Sequence, residues 1–287
     1  MRHMTRVPWQ LKIAAKVVLA RLPLSYHFWE KTGLFKQGGM DRPDYALTMF
    51  RWRFDPADFS RKKTGNFVGL ELGPGDSLCS ALIVRALGGS RTFLVDAEPC
   101  ASADLAVYRR MESHLRQLGL NPPNLDHCKN MEDLAEACSA VYLTEGLISL
   151  RTIPSASVDF VWSNAVLPYV RRKDFLPFLQ ELRRVQRPDG VGSHRIPIKD
   201  VIGGNLNDLR FSERVWESTF MAKSRFYTNR LRYLELLGLF RQAGFAPEVV
   251  GTVRWETLPT PRRKMAKEFA QLSEEDLRVS DFDVLLR

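Results

Sequence analysis

Two acidic residues and two glycines stand where they could bind a nucleotide-like ligand. Glu71, Gly73 and Gly75 lie in "ELGPGDS", directly after the apolar run "FVGL", and Asp96 follows a second apolar run. Glycine lets a backbone approach a ligand closely, and a helix that begins after the turn presents unpaired N–H groups. A carboxylate at the end of a second strand can accept hydrogen bonds from both hydroxyls of a ribose. The two motifs together predict a site for a ribose-bearing ligand.

The charge at the glycine turn indicates which ligand that is. A pyrophosphate site of the dinucleotide type has the pattern GxGxxG, but Gly75 is followed by Asp76, Ser77 and a leucine, without a third glycine. Glu71 and Asp76 would repel a pyrophosphate and attract a cofactor that carries an ammonium group and a sulfonium charge. The residues favour S-adenosylmethionine, and an NAD-dependent oxidoreductase is the alternative within the enzyme class.

The elements that must position these residues alternate along the chain. Five runs read as buried strands: "FVGLEL", "TFLVD", "AVYLT", "SVDFVWSN" and "VGSHRIPI", the last entered through a turn at "RPDG". Helical patterns separate them at "SLCSALIVRAL", "ADLAVYRRMESHLRQLG" and "FLPFLQELRRVQ". This order predicts an α/β fold with a doubly wound, mostly parallel sheet, in which ligands bind beyond the carboxyl ends of the strands.

The alternation of strand and helix patterns ends on both sides of this region. Residues 1–64 show no period-2 pattern and are predicted to form a helical N-terminal extension. Residues 65–287 form the predicted cofactor-binding domain, with a substrate-side insertion at about 201–229. After a helix at "LRYLELLGLFRQAG", the runs "PEVVGTVRW" and "DFDVLLR" predict a C-terminal antiparallel strand pair.

The composition of the chain limits the kinds of partner, metal site and membrane contact to expect. The 287 residues are 45% hydrophobic with a net charge of +9, and their basic residues are scattered, so charge alone selects no partner. The four cysteines show no CxxC spacing, which argues against a disulfide framework or a zinc site and favours the cytoplasm. Residues 9–22 read as an amphipathic helix, interrupted by lysines and too short to span a bilayer. It packs on its own domain or, alternatively, contacts the inner face of a membrane.

With these motifs the sequence resembles the class I, Rossmann-like S-adenosylmethionine-dependent methyltransferases, and within them the methyltransferase type 11 group. "VGLELGPGDS" is similar to the first motif of that family, "FLVDAEP" to the second, and "IPSASVDFVWSNAVLPYV" to the stretch around the fourth strand. "RPDGVGSHRI" is similar to the turn and fifth strand that follow. The resemblance covers roughly residues 65–200 and the C-terminal helix and strands.

The resemblance implies which residues bind the cofactor. Glu71, Gly73 and Gly75 would hold its amino-acid part and Asp96 its ribose, while Glu145 and Gly146 would lie near the adenine and Asn164 near the methionine end. Three neighbours complete the predicted cofactor site: Asp76, Ser77 and Ala97.

The acceptor side departs from the family pattern. Many relatives have Glu-His after the fourth strand, where this chain has Pro168-Tyr169 and therefore lacks a base. His194 is expected near the carboxyl end of the fifth strand as the general base, or else makes one structural hydrogen bond on that strand. Tyr169, Asn207 and Arg210 are expected to bind the acceptor, although "LNDLRFSE" also reads as a plain helix start. No metal site is indicated.

These observations predict an S-adenosylmethionine-dependent methyltransferase that acts on a small molecule, saccharide or lipid-linked glycan, by O-methylation. The glycan expectation rests on a resemblance of "SHRIPIKD" and "LNDLRFSE" to methyltransferases of bacterial surface polysaccharide. An RNA-binding or RNA-modifying protein is the alternative from another class, but a nucleic-acid partner is disfavoured because basic residues alternate with acidic ones. The oligomeric state is left open.

Overall fold

A single seven-stranded sheet organises the described part of the chain. The computed structural model describes residues 39–58, 66–201, 203–224 and 226–287. The strands are β1 Val68–Leu72, β2 Arg91–Val95, β3 Ala140–Leu143, β4 Val158–Asn164, β5 Gln186–Pro197, β6 Pro247–Arg254 and β7 Val279–Leu286. They lie in the order β3-β2-β1-β4-β5-β7-β6.

The direction of the strands agrees with the predicted fold class. β1 to β5 pair in parallel, and β7 runs antiparallel between β5 and β6. The chain moves outward from β1 through β2 to β3 and then returns to β4 on the other side of β1. The switch point of the sheet therefore lies between β1 and β4, where the carboxyl ends of open α/β sheets form a binding crevice.

Helices cover both faces of the sheet. They are α1 Pro43–Phe54, α2 Cys79–Ala86, α3 Leu105–Gln117, α4 Met131–Ala137, α5 Leu147–Thr152, α6 Arg172–Val185, α7 Glu213–Trp216, α8 Thr219–Ala222, α9 Tyr233–Gln242, α10 Lys267–Ala270 and α11 Glu274–Leu277. One apolar core lies between the sheet and α1 to α4, and a second lies between the sheet and α5, α6 and α9. Burial on both faces explains why the parallel strands read as continuous apolar runs.

The expected turn at "RPDG" lies inside a strand. β5 begins to pair with β4 at Gln186, opposite Val158, and the next pair joins Val191 to Phe160. The residues between them bulge out of the ladder, and the Gln186 side chain closes the bulge by donating to the carbonyl of Gly190 at 3.1 Å. Pairing thus starts five residues earlier than the predicted strand "VGSHRIPI", because a side chain replaces the missing ladder contacts.

Helix α1, which falls in the predicted N-terminal extension, packs directly on the sheet. The ring of Phe50 is fully buried and contacts Phe160 and Trp162 of β4 edge to face, at centroid distances of 6.0 and 5.4 Å. The extension and domain boundaries at residues 64, 201 and 229 stay predictions, and the expected helix at residues 9–22 lies outside the described residues. Within the described ranges, no helix combines the length and apolar character that crossing a membrane requires.

The contacts of α1 with the rings on β4 predict that substituting two aromatic residues of α1 lowers the free energy of unfolding by very different amounts. Phe50→Ala should lower the free energy of unfolding by about 3–5 kcal/mol, because it removes a fully buried ring and leaves a cavity. Trp52→Ala on the same helix is the matched control, since its side chain is 57% exposed, and it should cost less than about 1 kcal/mol. Urea unfolding measures both variants, and equal losses would contradict the docking of α1 through Phe50.

Candidate active site

The glycine turn after β1 joins the ends of three strands. The N–H of Gly73 donates to the carbonyl of Val95 at 2.8 Å, and the N–H of Gly75 donates to the Asp96 carboxylate at 3.1 Å. Asp96 in turn accepts from the N–H of Gly146 through its main-chain carbonyl at 2.8 Å. Gly73, Gly75, Asp96 and Gly146 are therefore neighbours at the carboxyl edge, as the sequence predicts. Gly73, Gly75 and Gly146 have φ angles of +66°, +68° and +54°, a region that favours glycine.

The Asp96 carboxylate is partly exposed beside this turn. Its second oxygen accepts the N–H of Ala97 at 2.7 Å, so main-chain donors hold both oxygens. Partial burial raises the pKa of Asp96, and the main-chain hydrogen bonds oppose that rise. A carboxylate oxygen has two lone pairs. The carboxylate therefore retains capacity to accept a further donor, which fits a hydroxyl of a ribose.

Glu71 lies beneath the turn rather than on its surface. It is 2% exposed, and the hydroxyl of Ser80 on α2 donates to its carboxylate. Burial raises the pKa of Glu71 to about 8; the Ser80 bond opposes the rise, and the charges of Asp96 and Asp76 add to it. Near neutral pH this carboxyl is mostly protonated, and a cation close to it would favour ionisation.

The neighbouring predicted residues divide into an inner and an outer group. Asp76 and Ser77 are buried, and the Ser77 hydroxyl donates to the carbonyl of Met40 at 2.7 Å, so it anchors the segment that leads into α1. Ala97 and Glu145 are exposed at the edge. Only the outer group presents side chains to an incoming ligand.

The end of β4 brings a further part of the chain to the site. Asn164 is its last residue, and its side-chain amide lies 3.6 Å from the sulfur of Met49 on α1. Ala165, with a φ of +62°, then turns the chain into a short 3₁₀ helix at Leu167–Tyr169. The contact with α1 carries no signal in the sequence, because 115 residues separate the two partners.

His194 does not occupy the position expected of a general base. It lies within β5, opposite Ser163 of β4, and its side chain is fully buried with Nδ1 2.8 Å from the Ser163 hydroxyl. Burial lowers the pKa of His194 to about 3, and the charge of Arg53 adds to this effect. A ring enclosed by the sheet cannot reach an acceptor, so the geometry supports the structural alternative and opposes the catalytic prediction.

The three residues that are predicted to bind the acceptor differ in their exposure and contacts. Tyr169 is 49% exposed on the 3₁₀ helix after β4, where it can meet a ligand. Asn207 is 5% exposed, and its side-chain oxygen accepts from Nε of Arg210 at 3.0 Å, so the two residues contact each other and their binding of the acceptor stays a prediction. The pair braces the 3₁₀ helix Asp208–Arg210.

Sequence reasoning missed one buried polar cluster beyond the end of β5. Asp208, Thr228, Asn229 and Arg230 are each at most 6% exposed. The side-chain amide of Asn229 donates to the carbonyls of Leu167 and Val170 at 2.9 and 3.0 Å, which ties this cluster to the segment after β4. The only signal in the sequence is the polar pair of runs "NDLR" and "TNR", which composition does not distinguish from a surface loop.

Comparison with known proteins finds a family that is similar to the middle part of the chain. The family described as a methyltransferase domain matches residues 100–192. This range includes β3 and β4 and ends within β5. Residues 100–192 are thus similar to a methyltransferase domain. The chain is an enzyme, and S-adenosylmethionine is its cofactor. An NAD-dependent oxidoreductase is thereby set aside.

Several solved structures are similar to this chain at low sequence identity. A Galdieria sulphuraria protein described as a sarcosine dimethylglycine methyltransferase is 15% identical, with a TM-score of 0.47 over 91% of this chain and 96% of the other. A Mesorhizobium loti S-adenosylmethionine-dependent methyltransferase is 15% identical, with a TM-score of 0.42 over 78% and 92%. One from Methanosarcina mazei is 14% identical, with a TM-score of 0.43 over 79% and 94%. No curated protein matches the sequence significantly.

The contact of Gly73 with Val166 predicts a steric penalty at the turn. A Cβ at Gly73 would lie 2.4 Å from a methyl of Val166, whereas one at Gly119, where φ is also positive, would meet nothing within 4 Å. Gly119→Ala should cost about 1–2 kcal/mol from the backbone alone, and Gly73→Ala about 1–3 kcal/mol more from overpacking. Adding Val166→Ala to Gly73→Ala should recover the difference in unfolding free energy. A double variant as unstable as Gly73→Ala would contradict this explanation.

The raised pKa of Glu71 predicts how stability changes with pH. The folded protein holds a proton on Glu71 up to about pH 8, whereas the unfolded chain loses it near 4.5, so stability from this group is full below pH 4.5 and declines as pH rises through 8. Glu71→Gln should flatten this decline, which is at most about 1.4 kcal/mol per pH unit. Glu145→Gln, at an exposed carboxylate of the same edge, should keep it. Chemical denaturation from pH 5 to 9 compares the slopes.

Proposed function

We propose that this enzyme transfers the methyl group of S-adenosylmethionine to a hydroxyl of a small-molecule or glycan acceptor. The observation that carries the cofactor part is the Asp96 carboxylate, which stands partly exposed between the N–H groups of Gly75 and Ala97. In this proposal its two oxygens accept the ribose hydroxyls. Gly146 and Glu145, next to Asp96 in space, border the adenine, and Asn164 borders the methionine end.

Glu71 has the complementary role for the amino-acid part of the cofactor. A carboxyl that is buried and hydrogen-bonded to Ser80 gains most from a nearby cation, because the ammonium group offsets the cost of ionising it. Gly73 and Gly75 supply the close backbone approach. The cofactor when bound supplies an electrophilic methyl carbon on a sulfonium, and the chain orients the acceptor toward it.

A hydroxyl acceptor is supported by the polarity of the region beyond β4 and β5. The half-exposed ring of Tyr169 offers a face for stacking, and Thr228 and Asn229 stand behind it in the buried cluster. The sequence resemblance to methyltransferases of surface polysaccharide points to the same class. Peripheral membrane contact through residues 9–22, which a lipid-linked glycan would require, stays a prediction.

RNA is a weaker candidate because several described basic residues form ion pairs with acidic neighbours. Arg172 contacts Glu213 and Glu235, and Arg195 contacts Asp281 and Asp283. Similar ion pairs join Arg171 to Glu217, Arg184 to Glu181 and Arg187 to Asp159. Phosphate binding needs unpaired cations on one continuous face, and these contacts interrupt such a face.

The function is tested by following the methyl group. Tritiated S-adenosylmethionine is incubated with the full chain and, in separate reactions, the methyl glycosides of glucose, galactose, mannose and rhamnose, ethanolamine, and a transfer RNA transcript. A labelled methyl ether on a glycoside is the expected result. Label on ethanolamine or RNA alone would overturn the proposed acceptor class.

The role of Asp96 predicts a loss of cofactor affinity. Asp96→Ala should weaken the binding of S-adenosylmethionine and S-adenosylhomocysteine by about 1–3 kcal/mol, because charge-assisted hydrogen bonds to the ribose are lost. Glu98→Ala is the matched control, since it removes an exposed carboxylate two residues away. Titration calorimetry measures both, and an unchanged affinity of Asp96→Ala would count against the assignment.

A further inference from the structure

A small, partly open cavity lies at the carboxyl ends of β4 and β5, outside the cofactor residues. Its volume is about 10 Å³, and its walls include Pro168, Pro197, Asp208, Thr228 and Arg230. A space of this size is close to the minimum that holds one water molecule or one group of similar size. Pro168 follows the end of β4 by four residues, and Pro197 ends β5, so the cavity adjoins the edge where the methyl donor is expected.

Two buried side-chain atoms of the cavity-lining residues lack a hydrogen-bond partner among the described residues, Nε of Arg230 and Oδ1 of Asp208. Asp208 is 4% exposed, and its Oδ2 accepts from the hydroxyl of Thr228 at 3.3 Å. No described residue donates to its Oδ1, which is buried. An unsatisfied carboxylate oxygen in the interior costs free energy, so a donor from outside the chain would relieve a defect that the fold retains.

The main chain beside Asp208 is held in an unusual conformation. Arg230 has a φ of +56°, which is uncommon for a bulky residue and is concentrated at functional sites. Its guanidinium lies between the rings of Trp216 and Phe269, at 5.0 and 4.7 Å from their centroids. One nitrogen, Nη1, donates to the carbonyls of Asp208 and Phe211. These contacts fix the position of Asp208 and leave its Oδ1 unsatisfied.

Burial and the surrounding charges shift the pKa of Asp208 in both directions. Burial raises the pKa of Asp208 to about 7, and the charge of Asp200 adds to the rise. The charges of Arg230 and Arg232 and the Thr228 hydrogen bond act in the opposite direction. Lys199, also on the cavity wall, is bonded to Asp281 at 2.9 Å. A carboxyl with a pKa near the operating pH is suited to general base catalysis.

We propose that Asp208 is the acceptor-side base of this enzyme, and that the cavity holds the acceptor hydroxyl with its proton directed at Oδ1. This proposal rests on the proposed function. In the transfer step a lone pair of the acceptor oxygen forms the bond to the methyl carbon while the carbon–sulfur bond breaks. The electron pair of that bond stays on sulfur, giving S-adenosylhomocysteine, and the hydroxyl proton moves to Oδ1 of Asp208. Asp208 later returns this proton to water.

The first test measures turnover with the same four methyl glycosides and labelled donor. Asp208→Asn keeps the shape of the side chain and should reduce turnover by about 100-fold or more, the usual contribution of a general base. The affinity for S-adenosylhomocysteine should stay unchanged. Asp276→Asn is the matched control, because Asp276 is a buried carboxylate that accepts the N–H of Leu234 at 2.9 Å, away from the cavity walls. Full turnover in Asp208→Asn would overturn the proposal.

The second test does not depend on turnover. The full chain, labelled with ¹³C at aspartate carboxyls and saturated with S-adenosylhomocysteine, is titrated with each glycoside and with ethylene glycol as a minimal hydroxyl probe. The Asp208 resonance, assigned by its absence in Asp208→Asn, should shift saturably, and Thr228→Val should alter that shift. A resonance that no probe moves would overturn the proposal. Failure of the wild-type chain to methylate any glycoside, with the resonance still responding to ethylene glycol, would instead reject the glycan acceptor while supporting the hydroxyl site.

Discussion

The hydrogen bonds around Asp96 hold the cofactor edge of this enzyme together. Its carboxylate binds the turn after β1, its N–H donates to Leu143 at the end of β3, and its carbonyl accepts from Gly146. The residue that follows β2 thus connects the loops after β1, β2 and β3. The glycines at Gly73, Gly75 and Gly146 are required because these short connections need positive φ angles. These hydrogen bonds form the frame on which the proposed cofactor site rests.

Two buried carboxyls, one on each side of the switch point, have raised pKa values for the same reason. Glu71 lies under the first glycine turn, and Asp208 lies beyond the end of β5; burial is the main cause of the shift in both. Each is a group whose charged form becomes favourable only when a suitable partner arrives. A cation from the donor would serve Glu71, and the donated proton of a hydroxyl would serve Asp208. The pKa of His194 is instead lowered by burial, and its side chain is hydrogen-bonded to Ser163. Both features oppose a role as general base.

Helix α1 is part of the site as well as of the core. Phe50 anchors it to β4, the carbonyl of Met40 accepts the Ser77 hydroxyl of the glycine turn, and Met49 touches Asn164. The segment therefore borders both the start and the far end of the cofactor edge. Residues that the sequence presents as a separate extension contribute to the geometry of the domain that follows.

The sequence alone determined the sheet and the meeting of the two motifs at its carboxyl edge, because both depend on local patterns. Apolar runs of strand length alternate with amphipathic helices, and a glycine turn and an acidic residue at the ends of the first two strands must meet once those strands lie side by side. Tertiary structure decided what depends on burial and on distant partners. His194 and Asn207 have residue types that suit catalysis and binding, yet packing encloses them. Asp208 looks like an ordinary polar residue in a loop until Thr228 and Arg230, some 20 residues later, pack beside it. Solvation and charge at a side chain are set by neighbours from remote parts of the chain, and linear spacing does not encode them.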